Sequence, residues 1–167
     1  ARRATRLLYP ASTSESYIAA CRRRRCPLRT AAWLLIPVSA MRLLLDSADP
    51  AAWSEWLPSG LFRGVTTNPT LLRRAAQPCT LEHLNDLTTR ALHLGVQELH
   101  LQAWGPDLLS CGRALARLAP GRIWVKLPIT RPGATAARSL IAEGCPVTFT
   151  ACYDASQVLL AAALGAD

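Results

Sequence analysis

From residue 41 onward the chain alternates short apolar runs with longer amphipathic stretches. Residues 42–46 form a brief apolar run closed by Asp46, which predicts a strand. Asp49-Pro50 reads as an N-cap followed by proline at the first helical position, opening a short helix over 51–57. A second strand is predicted over 61–66. Asn68-Pro69 then opens a turn into 70–76. Leucines at 81, 84, 87 and 92 give 81–94 a helical spacing. The same alternation predicts strands over 98–103, 122–127 and 146–152, with helices over 106–118, 133–143 and 155–164. The segment Ala163-Leu164-Gly165-Ala166-Asp167 reads as a helix C-terminus with a glycine cap. Strand–helix alternation with crossovers of this length predicts a parallel α/β sheet. No GxGxxG run follows the first strand, so a dinucleotide-binding fold lacks its phosphate fingerprint.

Polar residues gather where these strands end: Asp46, Thr66-Thr67-Asn68, Gln102, Lys126 and Thr150. In a β/α barrel that end is the catalytic face. Five βα units cannot close an eight-stranded barrel. The expected fold is therefore a (β/α)8 TIM barrel, C-terminally truncated to about five units. Residues 41–167 would be its N-terminal part.

One residue sharpens the chemistry. Lys126 is the only lysine; every other basic residue is an arginine. It lies in Ile123-Trp124-Val125-Lys126-Leu127-Pro128-Ile129-Thr130, apolar on both sides and bounded by Gly121 and Pro128. That run predicts a strand buried on both faces. An unperturbed lysine, with a pKa of about 10.4, is almost wholly charged at pH 7. Burial disfavours the charged form and makes the free, nucleophilic amine common, as Schiff-base chemistry requires. An arginine cannot serve as that amine. A strand-end lysine that snorkels to solvent fits the same local sequence.

Charge does not point to nucleic acid. The net charge is +8. Residues 1–40 hold eight arginines and one acid, whereas the remainder is near neutral, so the body carries no nucleic-acid footprint. Residues 1–40 also differ in pattern, with Arg22 to Arg25 followed by an apolar run over 31–38 that Pro37 interrupts. The preferred reading makes Met41 the start of the organised protein and 1–40 an upstream or disordered extension. A targeting segment and a basic arm are the alternatives. Six cysteines (21, 26, 79, 111, 145 and 152) show no CxxC spacing, and His83, His93 and His100 are not at ligand spacings near them. Free thiols in a reducing compartment are expected, with no metal site. The three histidines read as surface or helix-face residues. No apolar run reaches the ~18–20 residues of a membrane span.

Four motifs carry a resemblance to a known family. They are Leu43-Leu44-Leu45-Asp46, Gly64-Val65-Thr66-Thr67-Asn68-Pro69, Trp124-Val125-Lys126-Leu127-Pro128, and Thr150-Ala151-Cys152-Tyr153 followed by Gln157. Together they resemble the small transaldolase-like class I aldolases, and most closely the fructose-6-phosphate aldolase branch. The resemblance implies a (β/α)8 barrel with the Schiff-base lysine on its fourth strand, at Lys126. It places Asp46 and Asn68 beside the amine and the sugar hydroxyls, with Thr66 and Thr67 nearby. Gln102 falls where classical transaldolases carry a glutamate that works through a water, and glutamine there looks like the aldolase branch. Thr150 falls where the family holds the catalytic water. The family's acid/base tyrosine and its phosphate-binding arginine and serine lie on later strands, so no residue takes those roles here and Tyr153 is no substitute. Trp104 and Gly105 replace smaller or methionine-like residues, leaving acceptor preference open.

The resemblance implies a cytoplasmic enzyme of sugar-phosphate metabolism, the pentose phosphate pathway included. It would be a homo-oligomer that needs no cofactor and binds a sugar or sugar phosphate rather than nucleic acid or membrane. Its reaction would be cleavage or formation of fructose 6-phosphate from dihydroxyacetone and glyceraldehyde 3-phosphate. A transaldolase is the first alternative. An inactive fragment or a binding module with a basic arm is the second. The piece alone is expected to be inactive and poorly stable. Purely structural roles also suit several of these residues. Asp46 suits a cap, Thr66-Thr67-Asn68-Pro69 suits a turn, and Gln102 and Thr150 suit satisfied polar strand ends.

Overall fold

The computed structural model describes residues 42–166. The leader reading for 1–40, with Cys21 and Cys26, and the Met41 start fall outside the described residues. The elements are β1 (Leu44–Asp46), α1 (Pro50–Trp56), a 3-10 turn (Leu57–Ser59), β2 (Gly64–Thr66), α2 (Pro69–Arg74) and α3 (Leu81–His93). Then come β3 (Glu98–Gln102), α4 (Leu108–Ala116), β4 (Ile123–Pro128), α5 (Arg131–Ala142), β5 (Val147–Thr150) and α6 (Ala155–Ala163). The strands lie in the order β1-β2-β3-β4-β5 and every neighbouring pair is parallel. This is the order of consecutive units in a (β/α)8 barrel, so the α/β class and barrel architecture are borne out.

The helix starts follow from side chains that satisfy otherwise orphaned N–H groups. Asp49 accepts from the Ala51 N–H at 2.8 Å, and Asn68 from that of Leu71 at 2.9 Å. Thr80, Asp107 and Thr130 cap α3, α4 and α5 in the same way. At α6, Asp154 and Gln157 form a reciprocal capping box. Gln157 follows the Thr150 motif in the sequence, and its role here is structural. Its Oε1 accepts from the N–H groups of Tyr153 and Asp154.

Register assigns the two faces of the sheet. Residues paired across parallel strands share a face, and so do residues two apart on one strand. Val65, Leu99, Leu101, Ile123, Val125, Leu127 and Val147 fall on one face, all buried. Helices cover that face so closely that a side chain on Gly112 of α4 would meet Val125 at 3.1 Å and Leu140 of α5 at 2.8 Å. The opposite face carries Asp46, Thr66, Glu98, His100, Gln102, Trp124, Lys126, Thr148 and Thr150. The expectation that β4 is buried on both faces is thus corrected. Its residues alternate between buried (Ile123, Val125, Leu127) and half-buried (Trp124, Lys126, Pro128). Apolar composition on both sides of Lys126 concealed the alternation, because tryptophan and proline occupy the inner positions.

Candidate active site

The ladder continues past the strand ends and holds the inner-face residues in place. Ser47 N–H donates to the Thr66 carbonyl at 3.1 Å, Thr67 N–H to that of His100 at 3.0 Å, and Ala103 N–H to that of Lys126 at 2.9 Å. Ile129 N–H donates to the carbonyl of Thr150 at 3.0 Å. Beside Asp46, the wholly buried Trp53 donates its indole N–H to the Ser47 carbonyl at 3.0 Å, anchoring the loop that follows β1.

Lys126 stands level with Gln102 of β3 and Thr148 of β5. Its Nζ donates to Thr66 Oγ1 at 3.2 Å. Thr66 lies on β2, so the lysine side chain spans β3 to reach it. Burial pushes the amine's pKa below the ordinary lysine value, and the Asp46 carboxylate pulls it partly back. The half-buried amine is therefore held by one neutral hydroxyl and faces one anion. Burial thus favours release of its proton against the pull of Asp46, and the hydroxyl keeps the nitrogen oriented.

The structure brings Asp46, Thr66, Gln102, Lys126 and Thr150 to the C-terminal half of the inner face. Two of the expected residues stand differently. Thr67 is 1% exposed, and its hydroxyl has no hydrogen-bond partner among the described residues. Asn68 commits its Oδ1 to capping α2, which leaves its amide N–H₂ as the group able to donate elsewhere. Capping and ligand contact can be separated at this position. Asn68→Asp keeps a capping oxygen but removes the donor, so thermal stability should stay within about 0.5 kcal/mol. Capture of a hydroxylated ketone by the chain should fall several-fold. Asn68→Ala should also lose roughly 1 kcal/mol of stability. Paired denaturation and ketone-binding measurements would distinguish the two variants.

Four of the inner-face residues have no place among the sequence-based candidates: Glu98, His100, Trp124 and Thr148. The expectation that His100 is a surface or helix-face residue is corrected: it is 3% exposed in the middle of β3, stacked on Trp124 with ring centroids 5.5 Å apart and planes 15° apart. The signal was present, because His100 and Trp124 lie two residues before Gln102 and Lys126 and so share their face. Thr148 carries the same signal through Thr150, two residues on, and the β4–β5 register sets it level with Lys126. His83 and His93 do lie on a helix, α3.

Among the described residues no group of three or more His, Cys, Asp or Glu side chains could hold a metal ion, and no helix is long and apolar enough to cross a membrane. The described cysteines, 79, 111, 145 and 152, are free thiols.

Residues 106–167, which include β4 with Lys126 and β5 with Thr150, match the family model described as Transaldolase/Fructose-6-phosphate aldolase. Over 128 residues the chain is 34% identical to a probable transaldolase of Caulobacter sp. (strain K31), covering 75% of this chain and 57% of that protein. This is a transaldolase-like family segment. The transaldolase-like segment is also 37% identical over 131 residues to a probable transaldolase of Phenylobacterium zucineum (strain HLK1), covering 75% of this chain and 57% of that protein. For a probable transaldolase of Rhodospirillum centenum (strain ATCC 51521 / SW) the identity is 35% over 128 residues, with 75% and 53% covered. The chain thus spans little more than half the length of these relatives.

Proposed function

We propose that the transaldolase-like segment supplies the nucleophilic half of a Schiff-base aldolase acting on sugar phosphates. The observation that carries this reading is the single lysine of the chain. It is half-buried at the C-terminal end of β4, with a lowered proton affinity, a hydrogen bond to Thr66 and an anionic neighbour in Asp46.

In this reading the free amine of Lys126 attacks the C2 carbonyl of a ketose or of dihydroxyacetone. Asp46 takes the proton that the attacking nitrogen sheds and passes it to the carbinolamine oxygen, whose hydroxyl leaves as water with a further proton from solvent. As the C4 hydroxyl gives its proton to water, the resulting iminium accepts the electron pair of the breaking C3–C4 bond, giving an enamine and an aldehyde. Protonation of the enamine and hydrolysis then regenerate the amine. Asn68 donates to sugar hydroxyls, Thr66 orients the amine, and Gln102 and Thr150 position the water. The reaction as a whole would interconvert fructose 6-phosphate with dihydroxyacetone and glyceraldehyde 3-phosphate. The setting would be a cytoplasmic homo-oligomer that needs no cofactor and binds neither nucleic acid nor membrane.

Gln102, level with Lys126, favours the aldolase, because a neutral amide is a weaker proton acceptor than a glutamate in the same place. The names of the relatives favour a transaldolase, in which the enamine attacks a second aldehyde instead of a proton.

Borohydride reduction tests the shared step. The 167-residue chain, incubated with dihydroxyacetone and reduced, should gain one three-carbon adduct on the peptide containing Lys126. A folded chain that gains none would overturn the reading. In the enzyme containing the remaining βα units, turnover that requires a second aldehyde would select the transaldolase.

A further inference from the structure

Below Lys126 the inner face holds a buried acid and a buried base that the aldol reading does not use. Glu98 is 1% exposed and His100 3% exposed, and they are inward neighbours on β3. His100 Nε2 lies 4.0 Å from Glu98 Oε1, an oxygen that makes no hydrogen bond among the described residues. The other carboxylate oxygen receives Arg63 Nε at 3.3 Å and Arg42 Nη1 at 3.5 Å. Both arginine side chains are open to solvent on their far sides.

The placement relative to Lys126 follows from register. His100 is paired with Thr66 on one side and Trp124 on the other. The Lys126 side chain leaves β4 and ends 3.2 Å from Thr66 Oγ1 on β2. It therefore crosses over β3, where the inward residues are His100 and Gln102. With strands about 4.8 Å apart, the amine comes within roughly 7 Å of the imidazole.

We propose that Glu98 and His100 form a proton-holding floor beneath Lys126. A proton kept on His100 by the Glu98 carboxylate repels a proton on Lys126 and holds the amine in its free form. The Glu98 oxygen and the face of Trp124 favour the imidazolium. Asp46, in the same row on β1, attracts a proton on either group. Arg42 beside β1, Arg63 beside β2 and Lys126 on β4 oppose a charge on His100, as does burial. Glu98 neutralises the nearer effect of the two arginines. Through a medium of effective dielectric about 20, a full positive charge roughly 7 Å away shifts a second by on the order of one pH unit or more. His100 is thus a positioning residue for charge rather than a group that touches substrate. Its functional meaning rests on the imine reading for Lys126, whereas its test does not.

The single lysine makes the test direct. Lysine-selective isotopic labelling of the full chain gives one side-chain signal, whose pH titration is that of Lys126. In the His100→Gln variant the midpoint should move up by about one pH unit, a roughly tenfold loss of free amine at a fixed lower pH. In a Glu98→Gln background the same substitution should move it far less. An unchanged or lowered midpoint in folded His100→Gln would overturn the proposal. A second measurement needs no variant at position 100. The imidazole nitrogen spectrum of the unmutated chain, with His83 and His93 assigned by substitution, should show His100 charged at neutral pH. A neutral His100 there would also overturn it. Neither result depends on whether an imine forms, so failure of the floor and failure of the aldol reading are separable.

Discussion

Lys126→Met is expected to abolish borohydride-trapped adduct and to lower turnover in the enzyme containing the remaining βα units by at least about a thousandfold, as for loss of a covalent nucleophile. Lys126→Arg should do the same, because it keeps the charge but has no free amine to offer. Adduct on either variant, at the unmutated level, would remove Lys126 from the mechanism. The methionine variant carries a second expectation of opposite sign. Burial lowers the proton affinity of Lys126 in the folded chain, so the unfolded chain binds more protons. Stability therefore rises with pH between the folded value and about 10.4, where the unfolded lysine titrates. Methionine removes that dependence while filling a similar volume. Lys126→Met should be more stable than the unmutated chain at low pH, and the gap should close as pH rises toward about 10.4. Urea midpoints of the two chains at pH values across that range would read the sign directly. A gap that widened with pH would mean that the amine is stabilised, not desolvated, by its surroundings.

Gly64→Ala should produce the largest loss of stability. Gly64 begins β2 and is paired with Glu98. A Cβ there would lie 2.1 Å from the Glu98 carbonyl oxygen and 2.6 Å from its Cγ. The first of these is backbone of the neighbouring strand and cannot swing aside. The β2–β3 ladder would have to part, and Glu98 would be driven off Arg42 and Arg63. We expect a loss of about 3 kcal/mol or more, at the upper end of what overpacking produces. Adduct formation should fall as well, since Thr66 and the Lys126 amine are held through the same ladder. Thermal and denaturant unfolding would measure the first effect and borohydride trapping the second. A chain that accepts alanine within about 1 kcal/mol would show that β2 and β3 can separate at that level. The glycine of the Gly64-Val65-Thr66-Thr67-Asn68-Pro69 motif is thus needed for room beneath the site.

The α/β alternation, the helix starts and most of the candidate site were legible in the sequence because they rest on local chemistry. Asp49-Pro50 and Asn68-Pro69 mark helix starts through groups adjacent in the chain, and the structure shows each cap as a hydrogen bond of 2.8 or 2.9 Å. The polar strand ends stood out because the preceding residues are apolar. Lys126 stood out because composition had removed every other lysine. What the local pattern left open was which face each residue takes. The spacing of His100 from Gln102 marks its face, but its meaning comes from Glu98, Thr66 and Trp124, and register brings the latter two beside it.

The amino-acid order by itself determined the elements, their sequence along the chain, and the residue types able to do imine chemistry. Those depend on hydrogen bonds and periodicities spanning a few residues. Only the tertiary structure decided that Lys126 reaches across β3 to Thr66, that Thr148 stands level with it, and that Glu98 and His100 lie buried beneath it. Each of those facts depends on register between strands far apart in the chain, and a one-residue slip would turn every side chain of a strand to the other face.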